Sequence, residues 1–143
     1  MLEFTTSRAE FKTILHILYN EKVAGNFTQD ISGNRIKQID KSKRDNHHIY
    51  PKARVKDFSN KSPFNSIANI ILVDNSTNRE EIKDRSPDEY FSFIKQQPNG
   101  IMSCEKNLID IDEVIKINSE EEAMLFIENR AEKISQIVNS YFD

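Results

Sequence analysis

Two stretches decide the fold of this chain: NHHIYPK at residues 46–52 and SIANIILVDNSTN at residues 66–78. Within the second stretch, Ile67 to Val73 is apolar except for Asn69, a pattern typical of a strand that packs inside a protein. The polar residues at 74–76 then interrupt the pattern, because short polar side chains favour turns. The sequence therefore predicts a strand that ends at about residue 74.

Helices are predicted around this centre by capping boxes, in which a serine or threonine is followed three residues later by a glutamate. The box at residues 77–80 places the start of a short helix at Asn78, directly after the strand. In the box at residues 86–89, Pro87 suits the first helical position because its fixed φ is already helical. Pro98 and Gly100 are expected to end that helix. Together with the apolar spacing, the boxes predict three flanking helices, at about residues 7–20, 87–97 and 120–141.

The length and composition favour a single folded domain, residues 1–143. The mass is 16.7 kDa, and hydrophobic residues make up 37% of the chain, which excludes collagen-like, low-complexity and membrane-embedded classes. The longest apolar runs fall far short of the roughly 20 residues that a membrane span needs. Cys104 is the single cysteine, so it cannot form an internal disulfide or a thiolate zinc site. We therefore expect a reduced, cytoplasmic protein without a membrane partner.

The net charge of −3 hides an uneven distribution. Residues 35–61 contain nine lysines or arginines and three acids, a local balance of +6, so the rest of the chain carries −9. Such a basic block is a candidate surface for a polyanion, because lysine and arginine displace the counterions that surround phosphates. A solvated lysine-rich loop is the alternative that charge alone leaves open.

The adjacent histidines His47 and His48 are the residues best suited to chemistry. Neighbouring residues in an extended segment point to opposite sides, so one imidazole can face a metal while the other faces a substrate. A neutral imidazole binds divalent metals, and it also accepts protons near neutral pH. A histidine pair alone is equally explained by an exposed or hydrogen-bonded structural role.

The surrounding sequence narrows these alternatives. HHIYPKAR at residues 47–54, followed by FNSIANIILVDNSTN at residues 64–78, resembles the HNH, or ββα-metal, nucleases. A longer set of elements is similar to the C-terminal HNH domain of the GmrSD-type, modification-dependent restriction endonucleases and related phage-defence proteins. Its elements are QDISGNRI (29–36), SIANIILVDNSTN, SPDEYF (86–91) and the run at residues 108–138. The resemblance implies an α+β fold, with a small ββα-metal core at about residues 30–85 and flanking N- and C-terminal helices.

The resemblance also implies a role for each matching residue. His47 occupies the first metal-ligand position and His48 the general-base position. Asn69 corresponds to the asparagine that orients the loop between the two ligand segments through backbone hydrogen bonds. Asn78 corresponds to the second metal ligand. The expected phosphate contacts are Lys52, Arg54 and Lys56, with Arg79 and Arg85 on the helix side.

The implied activity is metal-dependent hydrolysis of DNA phosphodiester bonds, in a restriction or phage-defence setting. Mg²⁺ is the expected divalent ion. Because His47 stands where many members have aspartate, both protein ligands are neutral and attract Mg²⁺ less strongly, so Mn²⁺, Ni²⁺ and Zn²⁺ are alternatives. Relatives usually carry a large nucleotide-hydrolysing domain, for which 143 residues leave no room. The chain is therefore expected to be an excised C-terminal domain, a separate subunit or a stand-alone nuclease. DNA is the expected partner, and a regulatory domain or subunit and a second copy of the chain are partners that the sequence leaves open. Two alternatives stay open: an inactive HNH-fold module that binds DNA or a partner, and a toxin that cleaves RNA at the same site.

Overall fold

The computed structural model describes residues 8–20, 44–74, 86–97 and 100–142. These residues form helices around a two-stranded antiparallel sheet, which confirms the α+β class. In chain order the elements are α1 (Arg8–Asn20), β1 (Arg44–His48), α2 (Lys52–Val55), two 3₁₀ turns (Ser62–Asn65 and Ile67–Asn69), β2 (Ile70–Asp74), α3 (Pro87–Lys95), α4 (Gly100–Lys106), α5 (Ile111–Ile115) and α6 (Glu120–Phe142). In these four ranges, no helix combines the length and the apolar character that crossing a membrane requires.

The three flanking helices predicted from the sequence correspond to α1, α3 and α6. The short helix predicted to begin at Asn78 lies outside the described residues, as does most of the segment between α1 and β1. Of the expected ββα arrangement, the structure therefore describes the two strands, β1 and β2.

Strand β2 is buried on both faces, and this explains its unbroken apolar sequence. Its side chains alternate between two hydrophobic clusters, because successive residues of a strand point to opposite sides. Ile71 and Val73 belong to the main cluster, which α3 to α6 supply with residues such as Tyr90, Phe91, Phe126 and Ile127. Leu72 belongs to a second cluster, with Ile14, Leu18, Ile67 and Ile134. The sheet is thus held between two separate apolar layers.

The capping box predicted at the start of α6 is confirmed, and the one predicted at the start of α3 is wrong. The Ser119 hydroxyl accepts a hydrogen bond from the Glu122 backbone N–H at 3.1 Å, as the capping box predicts. The side chain of Ser86 forms no capping hydrogen bond with α3. Its buried hydroxyl has no hydrogen-bond partner among the described residues. The start of α3 is explained instead by Pro87 at the first helical position.

Gly100 does not end a helix, contrary to the sequence prediction. Helix α3 ends at Lys95, and Gly100 is the first residue of α4. A Cβ atom at this position would lie 1.7 Å from the carbonyl oxygen of Ile94, so a side chain would force the backbone apart. The glycine is needed because α4 begins in direct contact with the end of α3.

Arg130 connects α6 to the backbone around the start of β2. Only 2% of this residue is exposed. Its guanidinium donates hydrogen bonds to the backbone carbonyl oxygens of Ile67 (3.2 Å), Ala68 (2.8 Å), Ile70 (3.0 Å) and Asn107 (3.2 Å). Because a 3₁₀ turn leaves its last carbonyl groups without helical partners, these bonds fix the turn against the long helix.

The thiol of Cys104 is expected to be unreactive in the folded chain. The side chain is fully buried, and burial, assisted by the charge of Glu105, raises its pKa to about 12. Since the thiolate is the reactive form, 5,5′-dithiobis(2-nitrobenzoic acid) should react with Cys104 at pH 8, and release its coloured thiolate product, only after urea unfolds the chain. The chain has a single cysteine, so the signal has one source. Release at the rate of a free thiol without urea would contradict this burial.

Candidate active site around His47 and His48

The register of the two strands places the histidines on opposite faces of the sheet. His47 lies opposite Ile71, and His48 lies opposite Ile70, at the end of β1. Since residues paired across two strands share a face, His47 points to the side of the main cluster and His48 to the side of the second cluster. Both side chains are partly buried. The two imidazoles therefore meet different surroundings, as the extended segment predicted.

His47 contacts the hydroxyl of Tyr90, a fully buried residue of α3. The His47 Nε2 atom lies 3.4 Å from the Tyr90 hydroxyl, and the two rings meet edge to face at 5.6 Å. The hydroxyl donates its one proton to the carbonyl oxygen of Ile49 at 2.6 Å. As a hydrogen bond, the contact with His47 therefore has Nε2–H as the donor and the Tyr90 oxygen as the acceptor. Histidines that bind metals commonly donate their other ring N–H to an oxygen in this way.

The loop that follows β1 is held by the side chain of Asn69. Its Oδ1 accepts a hydrogen bond from the Tyr50 backbone N–H at 2.8 Å, and its Nδ2 donates to the carbonyl oxygens of Tyr50 (2.9 Å) and Phe64 (2.8 Å). The Asn69 backbone carbonyl also accepts from the Ile49 N–H at 2.9 Å. Asn69 is completely buried. It therefore fixes the backbone two residues after His48 relative to the start of β2.

Replacing Asn69 with alanine is expected to lower the free energy of unfolding by roughly 2–4 kcal/mol, because one donor and two acceptors lose their partner in a dry environment. Asn69→Asp should also destabilise, since a carboxylate cannot donate to two carbonyl oxygens. Urea unfolding followed by circular dichroism measures both. As a control, Asn60→Ala removes an exposed asparagine with one 3.3 Å bond, and should change stability by less than about 0.5 kcal/mol. Equal effects at the two positions would contradict the role of Asn69.

His48 is favoured in its neutral form. Burial, followed by the positive charge of Lys52, lowers its pKa below the ordinary value of 6.5. An imidazole that is neutral at pH 7 has a lone pair that can accept a proton, as a general base must.

Three of the predicted phosphate contacts are described, and all three are exposed. Lys52, Arg54 and Lys56 lie in or directly after α2, four to eight residues beyond His48. The guanidinium of Arg54 lies 3.6 Å from the carboxylate of Asp88, and both side chains are about half exposed, so water weakens this ion pair. The structure therefore places a cationic surface on the segment that follows the histidines.

The remaining predicted site residues, Asn78, Arg79 and Arg85, lie outside the described residues. Among the residues that are described, no group of three or more His, Cys, Asp or Glu side chains is close enough to hold a metal ion. The structure thus brings together His47, His48 and Asn69 at the two strands, with Lys52 four residues after His48 at the start of α2.

Tyr90 is the residue of this site that the sequence did not reveal. It lies within the helix predicted at residues 87–97, and the residue is 1% exposed. The sequence carried no signal that its hydroxyl would reach both His47 and the Ile49 carbonyl, since these partners lie more than 40 positions away.

Comparisons of the chain with models of protein families, with curated proteins and with solved structures gave no match. The functional interpretation therefore depends on the geometry of the two strands and on the sequence motif that they carry.

Proposed function

We propose that this protein is a metal-dependent endonuclease that hydrolyses DNA phosphodiester bonds, with a ββα-metal arrangement of the HNH type. The observation that carries the proposal is the set of three hydrogen bonds from Asn69 to the loop after the histidines. An HNH site needs a strand that carries a metal ligand followed directly by the base histidine, a loop held by an asparagine, and a second strand that leads into a ligand-bearing helix. The described residues include a strand with the histidine pair, a loop hydrogen-bonded to Asn69 and a second strand, in this order, and Asn78 follows β2 by four residues in the sequence.

In this proposal, His47 and Asn78 hold the divalent ion. The side chain of His47 fits a metal by ligand type, because a neutral imidazole binds divalent metals and the ring also contacts the oxygen of Tyr90. An imidazole and an amide supply no negative charge, so Mn²⁺, Ni²⁺ and Zn²⁺ are candidates beside Mg²⁺. When bound, the ion would stabilise the negative charge on the phosphate and on the departing oxygen.

His48 acts as the general base. Its neutral imidazole takes a proton from a water molecule while the water oxygen attacks phosphorus from the side opposite the 3′ oxygen. The new bond forms between the water oxygen and phosphorus, and the bond between phosphorus and the 3′ oxygen breaks. The products carry a 5′-phosphate and, after protonation of the leaving oxygen, a 3′-hydroxyl. Lys52 and Lys56 attract the phosphates of the bound strand to this position.

Purified protein should nick or linearise supercoiled plasmid DNA in the presence of at least one of Mg²⁺, Mn²⁺, Ni²⁺ and Zn²⁺. Excess EDTA should abolish cleavage, because the chain's two ligands cannot stabilise the phosphate charge without the ion. Agarose electrophoresis follows the reaction, and end labelling identifies the 5′-phosphate products. Cleavage that continues at the same rate in EDTA would contradict the metal-dependent mechanism.

The same assay separates the alternative functions. A matched RNA substrate that is cut while DNA is not would identify an RNA-cleaving toxin. If no ion supports cleavage and calorimetry detects no metal binding, retained binding to labelled DNA would identify a non-catalytic module. Failure of cleavage with all four ions on both nucleic acids would overturn the proposed activity.

A further inference from the structure

A pocket of about 470 Å³ opens beside the segment that follows the histidines. Its volume lies within the range of roughly 300–1,000 Å³ that small-molecule sites occupy. Its lining includes Tyr50 and Arg54, which follow the candidate site, and residues 115–119, which form the end of α5 and its connection to α6. The cleavage chemistry does not require this pocket, so its composition calls for a separate explanation.

Aromatic rings line one side of the pocket. The rings of Tyr50 and Phe58 are inclined by 26° with their centroids 6.3 Å apart. Asn69 fixes the backbone of Tyr50 on both its N–H and its C=O, so this ring is held in place. The hydroxyl of Tyr50 has no hydrogen-bond partner within the described part of the chain, although it is close enough to Arg54 and Asp88 for both charges to influence its pKa. The hydroxyl is therefore able to donate to a ligand.

Charged and polar groups surround the mouth of the pocket. Arg54 and Lys116 contribute positive charge, Asp88 contributes a carboxylate, and Asn118 contributes an amide. All four residues are exposed. Aromatic side chains beside cations and hydrogen-bonding groups complement a nucleotide, whose base packs against aromatic rings and whose phosphate is anionic.

We propose that this pocket binds one unpaired nucleotide of the strand that the protein cleaves, with the base against Tyr50 and Phe58 and the phosphate at Lys116 and Arg54. This inference deepens the proposed function and rests on it for the identity of the polymer. A base that is stacked in a duplex exposes neither face, so the nucleotide must leave the helix to enter. The Asp88 carboxylate accepts hydrogen bonds from exocyclic amino groups, which favours adenine, guanine or cytosine over thymine.

The test is a titration of the ¹⁵N-labelled full chain with dAMP in EDTA, where no cleavage can occur. The backbone amide signals of Phe58, Ile117 and Asn118 should move and saturate in the millimolar range. Deoxyribose 5-phosphate, which lacks the base, should bind about tenfold more weakly if the rings supply stacking. Thymidine 5′-monophosphate should also bind more weakly than dAMP.

Two variants identify the pocket as the binding site. Phe58→Leu keeps the apolar volume but removes the ring, and should weaken dAMP binding about tenfold. Lys116→Ala alters an exposed residue outside the core and should weaken binding about threefold. The matched control is Lys106→Ala, which removes the same charge from the exposed end of α4 and should leave the affinity unchanged.

The experiments distinguish a wrong assignment of the pocket from a wrong assignment of the nuclease activity. Cleavage of DNA together with unmoved pocket signals, or with equal dAMP affinity in both variants and the control, would overturn the pocket assignment and leave the nuclease intact. Saturable dAMP binding that both variants weaken, in a chain that cuts nothing, would support the nucleotide pocket and overturn the nuclease.

Discussion

Replacing His48 with alanine is expected to slow DNA cleavage by about 10²- to 10⁴-fold, the range that a positioned general base contributes. The residue ends β1, opposite Ile70, where its pKa is lowered and a proton acceptor is available at neutral pH. The initial rate of plasmid nicking measures the effect, with the ion that gives the fastest wild-type reaction. Added imidazole should restore part of the rate in the variant, because it supplies the missing base from solution.

The control for this experiment is His16→Ala. His16 lies on α1, outside the motif at residues 46–78, and its replacement should leave the cleavage rate unchanged. Because His48 is only partly buried, His48→Ala should give the circular dichroism spectrum of the wild type. Wild-type cleavage by His48→Ala would remove His48 from the mechanism, and loss of activity without rescue by imidazole would indicate a structural role.

Replacing Arg130 with methionine is expected to reduce the free energy of unfolding by about 3–5 kcal/mol, because four carbonyl oxygens lose a buried charged donor at once. Methionine retains the unbranched shape of the side chain, so the loss reports hydrogen bonding more than volume. Arg130→Lys should lower the free energy of unfolding by a smaller amount, because the ammonium group keeps the positive charge. It should still destabilise the protein, because an ammonium group cannot reach all four acceptors. Urea unfolding followed by far-ultraviolet circular dichroism gives the values.

A lysine of the same helix provides the comparison for Arg130. Lys133 is exposed, and Lys133→Met should change stability by no more than about 0.5 kcal/mol. The role assigned to Arg130 would be wrong if Arg130→Met unfolded within about 1 kcal/mol of the wild type. It would also be wrong if the two methionine variants were equally stable.

The sequence predicted those parts of the fold that depend on neighbouring residues. The capping box at Ser119 places the start of α6 correctly, because its hydrogen bonds connect residues three positions apart. The alternation of β2 between two clusters also follows from its apolar composition. Helix α4 was missed because Gly100 is ordinarily a helix terminator, and its contact with Ile94 depends on how two helices meet.

The candidate site was predictable only as far as its motif extends. The motif identified the histidine pair and Asn69, whose partners lie between 5 and 19 positions away. Tyr90 and Arg130 act across 41 to 63 positions, and the sequence near each of them describes only an amphipathic helix. The partners of such hydrogen bonds depend on tertiary packing, because a buried polar group bonds to the groups that become its neighbours when the core assembles.

The attachment of Arg130 to the start of β2 bears on protein engineering. A designer who grafted residues 44–74 onto another scaffold would transfer both histidines and Asn69, but would leave behind the guanidinium that satisfies the carbonyls of Ile67, Ala68 and Ile70. The host would have to present a buried cation at the same place. In this chain the motif is therefore inseparable from a helix that begins 46 residues after β2 ends.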